Sequence, residues 1–190
     1  MPGRTPAEAV HNYVDPLQKA VSCLDGVAKI VLTKRVQRVG DCGAWILNGP
    51  DGMRLPRFGT FYAQQRFELI ETSEEHREYA PSERYRVTTR EYIYRVELEA
   101  GPEIRWHWHP DGNSPEHRPH IHLWFNLRAH LPGPRIVLED VIEGCIELGA
   151  RAACGDWKQR LAETGGLHKL YRTWVNEPTE RRSRPGPANR

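Results

Sequence analysis

No stretch of this chain holds the roughly 18 consecutive apolar residues that a membrane-crossing helix needs, and its opening MPGRTPAEAV lacks the basic-then-apolar order of a secretory signal. A cytoplasmic protein with no membrane contact is the expectation. Cysteine is scarce: Cys23, Cys42, Cys145 and Cys154 lie far apart with no C-x-x-C, so a disulfide scaffold is excluded and reduced, mostly buried thiols are expected. A dominant charge is missing too, since 27 Lys and Arg face 25 Asp and Glu for a net charge of +2. That balance argues against a protein that coats polyanions. The chain contains no G-x-x-x-x-G-K-[ST], no G-x-G-x-x-G after a strand, no G-x-S-x-G and no H-E-x-x-H, which leaves nucleotide-binding, serine-hydrolase and zincin chemistry without an anchor. No internal repeat is visible.

What remains is a chain of 190 residues, long enough for one domain with a real core. We expect a single domain over residues 1–176. The tail 177–190, EPTERRSRPGPANR, is basic, rich in Pro and without apolar residues to bury, and reads as disordered. The basic side chains are overwhelmingly Arg, which suits bidentate contacts to phosphate or carboxylate, although genomic base composition produces the same bias.

Thr5-Pro6-Ala7-Glu8 has the form of a capping box with proline in the first turn, and Asp15-Pro16 repeats the signature, so two short helices or one kinked helix should open the fold before Gly26. From residue 27 to about 125 the texture is β-branched and aromatic, with Gly, Pro, Asn and Asp as punctuation. Strands are expected over residues 27–39, 44–47, 61–72, 85–99, 103–109 and 120–125, with loops at 49–60 and 73–84. Beyond Leu131-Pro-Gly-Pro134 the period turns helical. Leu138, Val141, Ile142, Cys145 and Ile146 share one face, Trp157 and Leu161 mark a second helix, and Leu167, Leu170, Tyr171 and Trp174 a third. The fold class is therefore α+β, an antiparallel sheet of about five or six strands with the helices from both ends packed on one face.

One segment, RWHWHPDGNSPEHRPHIHLW over residues 105–124, collects five of the nine histidines. Read with a period of two, Ile104, Trp106 and Trp108 alternate with Arg105, His107 and His109, and after the loop Ile121, Leu123 and Phe125 alternate with His120 and His122. The apolar set should pack under the helices and the histidines should lie on the open face. Opposed residues on antiparallel neighbours stand about 4.5 to 5.5 Å apart at Cβ, so the four rings converge if the register allows; a one-residue slip would part the pairs. Asp111, Glu116 and His117 on the connection could close over them. His11, His76, His130 and His168 are scattered and read as surface or capping residues.

Three readings of the pairs stay open. His107, His109, His120 and His122 could ligate zinc or another transition metal, because neutral imidazole is a good ligand and three of them leave a water position open. They could instead act without metal on RNA, one neutral histidine taking the proton of a 2'-hydroxyl and one protonated histidine serving the leaving oxygen, with Arg105 or Arg118 on the phosphate. Or they could be the polar side of an ordinary sheet, or part of a face that binds another protein. A cupin-type site fits poorly, since Glu116 follows His109 by seven residues and leads into His-Arg-Pro, where a glycine-rich turn would be needed.

The succession REYIYRVELEAG, EIRWHWHP and HRPHIHL, within residues 84–124, resembles the small TumE-like proteins of bacterial toxin-antitoxin systems. That resemblance implies a translation- or RNA-directed toxin activity, a ribonuclease-like hydrolase with a cognate antitoxin as partner. His120 and His122 are the positions that carry over best. The HWH motif departs from the pattern, which leaves the role of His107 outside the resemblance.

Overall fold

The computed structural model describes residues 1–110 and 116–170. Helix α1, Pro6–Val21, begins at the expected cap: the Thr5 hydroxyl accepts the Glu8 N–H at 3.1 Å, and Pro6 occupies the first turn, where no backbone donor is required. The second start at Asp15-Pro16 does not occur. Tyr13, Leu17, Ala20 and Val21 form one buried face that spans Pro16, and that packing outweighs the hydrogen bond a mid-helix proline omits. Asp15 pairs with Lys19 at 2.7 Å and caps nothing.

The described residues form a sheet of nine strands, more than the five or six expected: β1 Pro2–Gly3, β2 Ile30–Leu32, β3 Cys42–Leu47, β4 Met53–Leu55, β5 Gly59–Glu71, β6 Tyr85–Leu98, β7 Glu103–Trp108, β8 His120–Leu123 and β9 Asn126–Pro132. Their order is β2-β3-β5-β6-β7-β8-β9, with β1 added beside β6 and β4 beside β5. Every pairing is antiparallel. The long expected strand over 27–39 shrinks to three residues. The expected loop at 49–60 contains β4, and the charged one at 73–84 contains helix α2, Glu74–Tyr79, capped by the Ser73 hydroxyl accepting the His76 N–H at 3.2 Å.

Strands β5 and β6 form the spine. Arg66 faces Glu91 but Phe67 faces Thr89, so Arg90 is an extra residue and the pairing carries a bulge. The bulge switches the inward parity of β6, from Val87 before it to Tyr92, Tyr94 and Val96 after it. Helices α3, Leu138–Glu147, and α4, Trp157–Leu170, lie with α1 over this face. Trp45, Phe61, Phe67, Tyr92, Tyr94 and Val96 from the sheet meet Leu17, Val21, Leu138 and Ile142 from the helices in one buried core. The two helices expected near 157–161 and 167–174 are one up to Leu170; Tyr171, Trp174 and the tail 177–190 lie outside the described residues. Gly165 lets α4 approach α3, since a Cβ there would stand 3.3 Å from that of Glu139.

Among the described residues no helix is long and apolar enough to cross a membrane. All four cysteines are free; Cys23 and Cys145 are buried, while Cys42 and Cys154 are half-buried. The expected apolar set at the hairpin β8–β9 is corrected: Ile121 and Leu123 are half-exposed, and Trp124 and Phe125 are 60% and 67% exposed. The helices lie over β5 and β6, while this hairpin projects from the far edge of the sheet.

Candidate metal centre

The register of β7 on β8 pairs Arg105 with His122 and His107 with His120. No slip parts the pairs, so His107, His109, His120 and His122 converge on the face turned away from the helices. Ring centroids stand 5.6 Å apart for His107 and His120, 4.7 Å for His107 and His122, 5.1 Å for His109 and His120, and 5.0 Å for His120 and His122. A fifth ring joins them. His130, assigned from the sequence to the scattered surface histidines, comes back along β9 to 4.7 Å from both His120 and His122. A period-two signal was there to find, because Leu127, Ala129 and Leu131 alternate with Arg128 and His130, but the polar texture of residues 126–132 hides the strand.

The site histidines were expected on an open face, and His120 and His122 are not open. They are 2% and 6% exposed, because neighbouring rings cover one another. The described ends of the connection are tied together, the His117 Nδ1–H donating to the Pro110 carbonyl at 2.9 Å. Each buried ring is oriented by one backbone bond: His120 Nδ1 donates to the Arg118 carbonyl at 2.8 Å, and His122 Nδ1 to the Leu127 carbonyl at 2.8 Å. Those bonds place the proton on Nδ1 and leave the Nε2 lone pair free. The Nε2 atoms of His107, His120 and His122 are all buried with no hydrogen-bond partner among the described residues.

Two sets of three histidines bring their ring nitrogens within 4.8 Å of one another: His107, His109 and His120, and His120, His122 and His130. His120 belongs to both. Protonation of the group is disfavoured. Burial first, then the neighbouring His122, His120 and His109 and the Arg105 guanidinium, push His107 down to about 3. Burial likewise lowers His120 and His122, and the adjacent rings add to it. These three are therefore neutral at neutral pH, the form that ligates a metal.

The two arginines expected to hold a phosphate are separated. Arg105 lies on the histidine face but is engaged with Glu103. Arg118 sits on the rim with its side chain 70% exposed, forked onto Glu116 at 2.9 and 3.0 Å. Asp111 falls outside the described residues. His168 is no surface residue either: its side chain is 8% exposed, and Nδ1 meets Glu139 Oε1 at 2.6 Å between α4 and α3, on the other side of the sheet.

Comparison with family models, with curated proteins and with solved structures finds no match, so the resemblance to TumE-like proteins gains no support and meets no contradiction there.

Proposed function

We propose that the histidine cluster binds one divalent transition-metal ion of the zinc type and that the protein is a metal-dependent hydrolase, the ion activating a water at a coordination position the imidazoles leave open. The observation that carries this reading is the pair of three-histidine sets joined at His120, each containing two of the three buried Nε2 atoms that have no hydrogen-bond partner among the described residues, with the His120 and His122 rings tied through Nδ1 to backbone carbonyls. Carbonyl-tied imidazole is the usual arrangement of metal-ligating histidine, because the second bond fixes the tautomer and aims the lone pair. An imidazole set held neutral by burial and by its own neighbours also fits a ligand set better than an acid-base pair.

RNA-directed cleavage without metal is the weaker reading. It needs one protonated ring at neutral pH, while His107, His120 and His122 are held neutral. RNA remains a candidate substrate for the metal-activated water, and an antitoxin a candidate partner, on the strength of the resemblance alone.

The test is elemental analysis and zinc titration of protein purified without a histidine tag. About one equivalent of zinc per chain is expected, and His120→Ala, which removes the ligand common to both sets, should weaken uptake by at least about a hundredfold. His109→Ala and His130→Ala then decide which set is occupied, since only the variant in the occupied set should lose affinity. Wild-type protein that carries no metal and takes up none at micromolar zinc overturns the proposal.

A further inference from the structure

Beside the histidine cluster, on the same face of the sheet, lies a cleft of about 470 Å³. That is the size of sites that enclose a small organic molecule. Ile46, Pro50, Tyr62 and Ile93 supply apolar wall, Arg95 and Arg105 supply charge, and His107 stands at one end. The register explains the layout: Ile93 faces His107 and Arg95 faces Arg105 across β6 and β7, so the two guanidiniums stand next along the strands from the histidine.

Like charges directly opposite each other on neighbouring strands repel. Here Glu103 lies between them. It accepts a hydrogen bond from Arg105 and stands 3.7 Å from Arg95, whose guanidinium also lies over the Tyr62 ring at 3.8 Å. Glu97, directly opposite Glu103 on β6, brings a second carboxylate to the same end of the strands; neither it nor Glu103 lines the cleft, where Arg95 and Arg105 are the charged groups of a wall that is otherwise largely apolar.

We propose that this cleft binds a monoanionic organic acid, a carboxylate on an apolar body, gripped by Arg95 and Arg105 with its body along Ile46, Tyr62 and Ile93. The inference rests on the metal reading in one respect, that His107 at the end of the cleft brings the ligand to the ion. The charged groups that line the cleft select the ligand class. A polynucleotide needs a long row of cations, whereas two guanidiniums line this cleft. A neutral ligand would leave the guanidiniums unused. A monoanion matches both the charge and the apolar lining, and a planar guanidinium binds a carboxylate through two parallel hydrogen bonds.

The experiment is calorimetric titration of phenylbutyrate and of the neutral phenylbutanol into zinc-loaded and EDTA-treated protein. The acid should bind at least about tenfold more tightly than the alcohol, in both metal states, and Arg95→Gln and Arg105→Gln should each remove about tenfold of that affinity. Glu103→Gln gives the opposite sign. It frees both guanidiniums and should tighten acid binding, a result that a purely structural role for the charge cluster would not produce. Equal affinity for acid and alcohol, binding of neither, selectivity that vanishes with the metal, or acid affinity unmoved by Arg105→Gln and Glu103→Gln would each overturn the assignment. Zinc uptake in the same samples separates the two proposals. Zinc bound without acid selectivity overturns the cleft alone, whereas acid selectivity in a protein that takes up no zinc supports the cleft and removes the metal.

Discussion

Two polar clusters sit on opposite sides of one sheet, and they are completed differently. Under the helices, the Gln65 amide oxygen accepts from the Tyr13 hydroxyl and, at 3.1 Å, from the Trp45 indole, while its nitrogen donates to the Tyr94 hydroxyl. The Tyr13 hydroxyl lies 3.1 Å from Thr89, and His168 joins Glu139 to the Tyr13 carbonyl at 2.6 and 3.4 Å. Except for one oxygen of Glu139, each buried side-chain nitrogen and oxygen of that network has at least one hydrogen-bond partner. On the other side, three imidazole nitrogens are buried and matched by nothing among the described residues. A buried polar group left unsatisfied costs about 1–3 kcal/mol. On the metal reading proposed above, a fold that satisfies one cluster and leaves the other open, on two faces of the same strands, separates groups that hold the structure from groups that await a ligand.

The comparison is broken or sharpened first by Glu139→Ala. Removing Glu139 strands the buried His168 ring nitrogen that it holds at 2.6 Å, at a cost of about 3 kcal/mol. Glu139 is 3% exposed, so the variant should show a lower urea midpoint at unchanged slope. Its zinc uptake should equal that of the wild type, because Glu139 lies across the sheet from the histidines. Lost zinc with unchanged stability would reverse the two roles.

Gln65→Leu is the next largest effect. Leucine keeps the volume but deprives Tyr13, Trp45 and Tyr94 of their shared partner, for an expected loss of about 2–3 kcal/mol. Burial already holds Tyr13 up at about 12 and Tyr94 well above the usual tyrosine value, so neither hydroxyl can ionise to relieve the loss near neutral pH. Zinc uptake should again be unchanged. His120→Ala is the mirror image: stability of the metal-free protein nearly kept, zinc lost.

Period-two patterning made the α+β class, the antiparallel hairpins and the convergence of the four site histidines legible in the sequence. It works because alternation records which side of a strand is wet. Three features escaped it. Strands β1 and β4 are two and three residues long, too short to carry a period, and they exist only because β6 and β5 offer them an edge. Pro16 is a local stop signal that a non-local face overrides. The burial of His120 and His122, and the recruitment of His130, depend on five rings closing over one another, which no single strand's pattern contains. The partners of His120 and His122 are backbone carbonyls, at Arg118 and Leu127, and a carbonyl has no sequence signature.

The smallest effect concerns acid. In the unfolded chain histidine titrates near 6.5, while in the folded metal-free protein His107 is pushed down to about 3 and His120 and His122 are also lowered, burial being the largest cause in each. Between those limits the unfolded chain binds protons that the folded one refuses, so stability is full above the unfolded value and is lost progressively as pH falls below it. EDTA-treated protein should therefore melt a few degrees lower at pH ~5.5 than at pH ~7.5, the direction set by ordinary linkage. His107→Gln, which removes one titrating ring from the cluster, should flatten that dependence, while Gln65→Leu, which removes none, should shift the whole curve and keep its shape. Zinc should steepen the wild-type curve, because protons then compete with the ion for the same nitrogens. A His107→Gln curve with the wild-type slope would mean that the acid sensitivity belongs elsewhere, and the open cluster would lose its distinction from the satisfied one.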